Sequence, residues 1–228
     1  MNAGAYTAVD LAEREAALAD AVNGVAPGVL AEEAKRAGAV LIHYSTDYVF
    51  DGRQARPYAE TDATGPMGVY GASKLAGEQT VAAANPRHVI LRTAWVCSAD
   101  GANFLKTMLR LAAERPELKV VDDQHGSPTF AADIAAATAR IAKACADRPA
   151  GAAEFGIFHL VSQGEATWCG FARAIMAASR ARGGPCTPVK AITTAEFPTK
   201  ARRPAHSKLD AAKLAGAGRV DLSLVARG

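Results

Sequence analysis

Apolar positions along the chain follow two rhythms that alternate. Apolar residues recurring every three or four positions predict helices over residues 12–22, 26–37, 69–84, 103–114, 131–146 and 168–182. Between them, the short apolar runs 40–44, 88–96, 118–121 and 157–161 have the continuous hydrophobicity of strands buried on both faces. Strands alternating with helices build a parallel sheet flanked by helices, so the expected class is α/β. The opening residues 1–10, MNAGAYTAVD, read as the end of a further buried strand running into a loop.

Two stretches break the rhythm, residues 47–68 and the segment after Pro185. Loops longer than about 12–15 residues are usually functional or disordered. The first holds Tyr48, Phe50 and Tyr58 with Pro57 and Pro66, too aromatic for a linker, and is expected to line a site. The second carries Pro188, Pro198 and Pro204 around the densest basic group, Lys200, Arg202 and Arg203.

Composition narrows the function class. The 228 residues are 50% hydrophobic and 21% charged, ordinary for a soluble protein with a sizeable core. A net charge of +3 spread along the chain is too small for a nucleic-acid footprint, though the basic group suffices to meet one phosphate. Cys97, Cys145, Cys169 and Cys186 show no CxxC spacing and no neighbouring His pair, which argues against a zinc or redox site and fits a reducing cytoplasm. Glu60, Asp62 and Asp123 have no ligand spacing, so no metal site is expected. Charged residues such as Asp10, Glu13 and Arg14 interrupt the first thirty positions, which excludes a secretory signal there. No apolar run approaches the roughly 18 residues of a spanning helix, so neither membrane nor nucleic acid is an expected partner.

Candidate chemistry begins with Tyr70 and Lys74, four residues apart at the start of a predicted helix and therefore on one face. A protonated Lys beside a phenol favours the phenolate and lowers the Tyr pKa, making Tyr70 a candidate proton donor; a surface pair is the plainer reading. The run 40–44 ends in Ser45 and Thr46, which places two hydroxyls at the carboxyl end of a parallel strand, where open α/β sheets bind ligands. Thr46 fits either a carbonyl-binding hydroxyl or a turn-forming cap.

Together, STDYVFDG and VYGASKLAGE, in that order and at that separation, resemble the extended short-chain dehydrogenase/reductase superfamily, and within it the dTDP-4-dehydrorhamnose reductase family. NAGAYTAVD, RTAW at residues 92–95, DDQHGSPT at 122–129 and ARRPAHSKLD at 201–210 resemble further segments of that family, so the likeness runs from Asn2 to about Leu214. It implies an incomplete Rossmann-type parallel sheet with helices on both faces, plus a smaller C-terminal α/β substrate domain. Residues 1–96 would form the C-terminal part of the NAD(P)-binding unit, with a return segment near 122–146, and residues 97–228 mainly the substrate domain. The implied reaction is hydride transfer from NADPH (or NADH) to the 4-keto carbon of a dTDP-sugar, dTDP-4-dehydro-L-rhamnose.

By the same resemblance, Thr46 polarises the keto oxygen, Tyr70 donates the proton, and Lys74 lowers the Tyr pKa and holds the nicotinamide ribose. Gly4, Ala5 and Tyr6 match the loop beside the cofactor, and Val9, Asp47, Tyr48 and Trp95 match positions lining the sugar pocket. For these last four, loop packing is the alternative. Arg202 and Arg203 match either a diphosphate contact, which guanidinium forks suit, or a solvated loop. A homodimer is compatible with the likeness.

Three departures stand out. Cys97 and Ser98 replace the Tyr and Gly of the family's RTxWVYG, and His206 stands where Asn is common. The third concerns the glycine-rich strand-to-helix turn that seats a cofactor pyrophosphate. No such turn follows a predicted strand: Gly68 and Gly71 flank Tyr70, and Gly24 and Gly28 lie in a helical stretch. The expectation is that roughly sixty residues, about two strand–helix units, precede Met1 in the family pattern. A non-catalytic regulatory member of the superfamily that binds nucleotide-sugar or protein is the alternative.

Overall fold

The computed structural model describes residues 1–216. Along the chain run α1 (Val9–Ala12), α2 (Ala16–Asp20), a π turn (Ala21–Val25), α3 (Ala26–Arg36), β1 (Leu41–Thr46), a 3-10 turn (Asp47–Val49), α4 (Val69–Ala84) and β2 (His88–Thr93). Then follow β3 (Val96–Cys97), α5 (Phe104–Glu114), β4 (Leu118–Val121), β5 (His125–Gly126), β6 (Thr129–Phe130), α6 (Ala131–Cys145) and β7 (Gly156–His159). The last elements are β8 (Ala166–Thr167), α7 (Trp168–Arg180), β9 (Val189–Ile192), a 3-10 turn (Thr194–Glu196) and α8 (Ala212–Gly216).

The main sheet has the order β1-β2-β7, all parallel, with Leu41 opposite His88 and Val89 opposite Gly156. Asn2 adds a parallel bridge to His43 on the free edge of β1, as the strand-like opening of the chain led one to expect. Side chains alternate between the sheet's faces. Ile42, Val89 and Leu91 pack with Ile134, Ala137 and Ile141 of α6, whereas Leu41 and Ile90 meet Ala31 of α3 and Val81 of α4. Both faces are therefore covered by helices, which is why these strands read as unbroken apolar runs. The same alternation turns His43, Ser45 and Arg92 toward α4, and these polar groups sit below the carboxyl end of the sheet.

A second core joins Met108 and Ala112 of α5, Leu118 and Val120 of β4, and Ala172, Ile175 and Met176 of α7. Here β4 pairs in parallel with β9. The segment after Pro185 is thus not irregular throughout; Val189–Ile192 escapes sequence reading because it is four residues long with an exposed Lys190 and Ala191. The strand expected over 88–96 ends at Thr93, because Trp95 adopts a left-handed backbone (φ 48°) that turns the chain before Val96 and Cys97 pair with β6.

The two helices expected over 12–22 and 26–37 merge into one continuous helical stretch from Ala16 to Arg36, interrupted by the π turn. Pro27 has no N–H to give the carbonyl four residues back, that of Asn23, and its ring crowds that carbonyl. The wider turn relieves this, and π turns inside helices often mark functional positions. Thr80 of α4 donates to the Gly24 carbonyl at 2.8 Å, so the exposed backbone finds a partner. Gly77 lets the two helices touch: a Cβ there would stand 2.0 Å from the Asn23 carbonyl oxygen. Replacing Gly77 with Ala is expected to cost about 1–3 kcal/mol, the range of an overpacked contact, measured as a shift of the urea midpoint without a change of slope. An unchanged midpoint would mean the helices are not in contact.

Candidate active site

At the carboxyl end of β1 the chain turns sharply. Thr46 caps the 3-10 turn by accepting a hydrogen bond from Tyr48 N at 3.2 Å, and its hydroxyl donates to Asp47 Oδ1 at 3.0 Å. The turn-forming reading of Thr46 is therefore realised, with the hydroxyl buried at the sheet end where a ligand group would arrive. Asp47 is 2% exposed; the Ser207 and Thr46 hydroxyls face its carboxylate, yet its Oδ2 makes no hydrogen bond of good geometry among the described residues, and the same is true of Thr93 Oγ1. Thr93 lies opposite Thr46 in the register, so two unpaired polar atoms share this end of the sheet.

Tyr70, on the first turn of α4, meets Tyr48 edge to face at 5.6 Å. Burial pushes its hydroxyl up to about 12, with the neighbouring Thr46 hydroxyl pulling the other way and Asp47 adding to the rise. Lys74 lies one turn further along, 3% exposed, and donates from Nζ to the Tyr44 carbonyl at 2.6 Å. Burial lowers its ammonium to about 8, opposed by Glu78. Desolvation of the phenol outweighs its neighbours and holds Tyr70 protonated, while the Lys74 ammonium is bonded to a backbone carbonyl.

The loop at residues 4–6 is fixed through buried Asn23 of the π turn. Asn23 Oδ1 accepts from Tyr6 N at 2.8 Å, and Asn23 Nδ2 donates to Tyr6 O at 3.0 Å and to Ser73 Oγ at 3.1 Å. Ser73 in turn donates to the Tyr70 carbonyl at 2.9 Å. Gly4, Ala5 and Tyr6 are thus tied to the turn of α4 that carries Tyr70, with Gly4 exposed. Tyr6 donates its hydroxyl to Glu15.

Two pockets meet the segment that carries Arg202 and Arg203, and neither is lined by Thr46, Asp47, Lys74 or Trp95. The smaller is lined by Val9, Tyr48, Tyr70, Arg202 and Pro204 among others. The larger, about 580 Å³, is lined by Phe104, Leu111, Lys119, Trp168, Phe197 and Arg203 among others. The consecutive arginines therefore border different pockets. Arg203 is not solvated freely: it pairs with Asp10 at 2.7 Å, holding Asp10 below the usual carboxylate range. Trp95 joins the carboxyl end of β2 but stacks on Trp168, its centroid 3.6 Å away and its plane tilted by 8°. Its left-handed backbone costs of order 1–2 kcal/mol, strain of the kind that collects at working sites. Cys97 is buried with its thiol pushed up by desolvation, so it is no reactive thiolate. His206 stacks on His125 at 4.9 Å. The spacing Gly65-x-x-Gly68-x-x-Gly71 follows the loop after the 3-10 turn rather than a strand, and so does not supply a phosphate turn.

The family described as the RmlD substrate binding domain matches residues 1–223. The chain belongs to the dTDP-4-dehydrorhamnose reductase family. It is 51% identical to a dTDP-4-dehydrorhamnose reductase of Burkholderia thailandensis over 214 residues, covering 92% of this chain and 72% of that protein. The corresponding protein of Escherichia coli strain K12 is 44% identical over 215 residues, covering 93% and 71%. Among solved structures, the family's Bacillus anthracis member in complex with NADP superposes with a TM-score of 0.88 at 35% identity, covering 96% of this chain and 73% of that one. A Clostridium acetobutylicum ortholog gives 0.87 at 39%, covering 95% and 73%.

Sequence reasoning missed the residues beneath the family's Tyr-Lys pair. Glu78 continues the face of Tyr70 and Lys74 by one more turn, and its carboxylate accepts from Arg92 Nε at 2.9 Å and NH2 at 2.7 Å and from Ser45 Oγ at 2.5 Å. The four-residue period from Tyr70 through Lys74 to Glu78 is the signal that would have found it. Asn23 carried no such signal, since its neighbours became visible only on folding.

Both Glu78 and Arg92 are almost fully buried, so Glu78→Gln leaves Arg92 uncompensated and is expected to cost about 3–5 kcal/mol in denaturant unfolding. A loss below about 1 kcal/mol would show the pair to be open to water. Asp47 gives a pH signature. Burial raises its carboxyl from 3.8 to about 6, so the folded chain holds the proton more tightly than the unfolded one. Stability linked to Asp47 is then complete below about 4 and falls as pH rises to about 6. Melting curves of Asp47→Asn should lack that decline, and a parallel decline in both proteins would contradict the burial.

Proposed function

We propose that the protein reduces the 4-keto group of dTDP-4-dehydro-L-rhamnose to give dTDP-L-rhamnose with NADPH. The observation that carries the reading is a protonated, desolvated Tyr70 beside the Thr46 hydroxyl, at a sheet end with unpaired Asp47 and Thr93 oxygens. The residues present suit the nicotinamide end of the cofactor: Tyr70 and the loop Gly4 to Tyr6 are linked through Asn23 and Ser73, and Lys74 lies one turn along α4 from Tyr70. NADPH, when bound, supplies the hydride.

The side chains divide the remaining work. Thr46 holds and polarises the keto oxygen. Tyr70, with its pKa near 12, keeps its proton until charge develops on that oxygen and then donates it. Lys74, near 8, is largely charged at neutral pH and stabilises the phenolate left behind while holding ribose hydroxyls. Val9, Asp47, Tyr48 and Trp95 shape the sugar pocket. Arg202 and Arg203, one on each pocket, meet the diphosphate, whose charge competes with Asp10 for Arg203. A division into a cofactor unit over 1–96 with a return at 122–146 and a mainly substrate unit over 97–228 is supported by α6 packing on the main sheet and by the separate core of α5, β4 and α7, although β7 also returns to the main sheet. No helix among the described residues is long and apolar enough to cross a membrane. None of the cysteines is disulfide-bonded, which supports a cytoplasmic setting.

The test follows NADPH absorbance with dTDP-4-dehydro-L-rhamnose and the purified protein. Tyr70→Phe is expected to lower kcat about 10²–10⁴-fold with the protein still folded. The rate should fall as pH rises through about 8, where Lys74 loses its proton, and Lys74→Arg should carry that limb to higher pH. Binding of dTDP-L-rhamnose with neither NADPH binding nor turnover would favour a nucleotide-sugar-binding regulatory protein.

A further inference from the structure

The indole of Trp95 is held from two sides. On one side lies Trp168, nearly parallel at 3.6 Å. On another lies the backbone of Gly126, so close that a Cβ on Gly126 would stand 2.5 Å from Trp95 Cε2 and 2.6 Å from Nε1. The two holders belong to one construction. Gly126 of β5 pairs with Ala166 of β8, and Trp168 begins α7 two residues later. Thr167 between them caps α7 by accepting from Gly170 N, and its hydroxyl donates to Asp122. Trp168 is braced in turn by Phe104 at 4.6 Å and forms part of the wall of the larger pocket. Trp95 has the only left-handed backbone among the described residues other than glycine. A residue held there needs its side chain fixed by its surroundings.

We infer that Trp168 and Gly126 form a clamp that positions Trp95, making Trp168 a specificity-determining residue for the sugar through its hold on that ring. This rests on the reading that Trp95 lines the sugar pocket. The physical reason is rigidity: an indole free to leave the left-handed conformation would swing with its backbone, and a pocket wall that moves cannot discriminate between sugar faces. Trp168 thus serves both Trp95, on which it stacks, and the larger pocket, of whose lining it is part.

Trp95 and Trp168 are the two tryptophans of the 228 residues, which gives the clamp its own spectroscopic readout. Two stacked indoles at this distance couple, and the exciton couplet they give in circular dichroism of the unliganded protein, sized by the in-plane angle between their transition dipoles, should disappear in Trp168→Phe and in Trp95→Phe. The functional readout is the ratio of dissociation constants for dTDP and dTDP-L-rhamnose, measured by calorimetry, which isolates the contribution of the sugar and requires no cofactor. Trp95→Ala and Trp168→Ala are expected to lower that ratio by about the same factor, roughly tenfold, with dTDP binding itself changed less; Trp168→Phe should retain most of it. Gly126→Ala, which displaces the indole without deleting it, should also lower the ratio and weaken the couplet. If Trp95→Ala lowers the ratio while Trp168→Phe, Trp168→Ala and Gly126→Ala do not, the clamp is wrong and the sugar pocket stands. If Trp95→Ala leaves the ratio unchanged, Trp95 is not a wall of the sugar pocket, and both readings fall. A couplet that persists unchanged in Trp168→Phe would likewise overturn the clamp. Gly126→Ala and thermal melting guard against a Trp168→Ala protein that fails to fold.

Discussion

Glu78 and Arg92 meet beneath the site, and the geometry above them depends on their pairing. Two charges in a desolvated position are tolerable only when each satisfies the other in good geometry, which the fork of Arg92 achieves with two hydrogen bonds to one carboxylate. Ser45 adds a third donor. The three residues come from α4, β2 and β1, so this cluster fixes the angle at which α4 crosses the sheet. Thr46 follows Ser45 directly, and Lys74 and Tyr70 lie one and two turns up the same helix. Their separation is therefore set by a contact that itself touches no ligand. The ring of Phe50 lies 5.0 Å from the Arg92 guanidinium and closes the cluster from the side.

The electrostatics of the site follow from exclusion of water more than from pairing. Tyr70, Lys74 and Asp47 each shift in the direction of their neutral form. Such a set is costly to keep in a folded chain and has little structural merit, because an apolar side chain of similar volume would pack as well. Groups of this kind cluster where protons are moved or polar ligands are gripped. The Arg203 and Asp10 pair shows the opposite behaviour, a partly exposed ion pair in which each charge supports the other. The site thus has a dry floor and a charged rim.

Much of the fold was legible because the main sheet is buried on both faces, which leaves unbroken apolar runs, and because the intervening helices keep a regular period. The 3.6-residue spacing also placed Tyr70 and Lys74 together, and the end of an apolar run placed Thr46 correctly. What escaped were features set by tertiary contact. β9 is too short and too polar to announce itself, and the π turn depends on how Pro27 meets Gly77 across a helix pair. Sequence shows that a lysine is near Tyr70 but not where its ammonium points, which folding turns toward the Tyr44 carbonyl. Trp168 appeared only as a helix start, since stacking on Trp95 joins residues 73 positions apart, a separation given by 168 − 95.

Asp10 lies near the beginning of the chain, yet its carboxylate binds the Ala201 N–H and the Arg203 guanidinium, the latter 193 positions later. During synthesis the sheet, α4 and the Tyr70 site emerge long before that partner, at a pace of about 5–20 residues per second. The contact that anchors the Arg203 segment against the start of α1 therefore forms only after the sheet and α4 are in place, and it is the longest-range side-chain tie among the described residues.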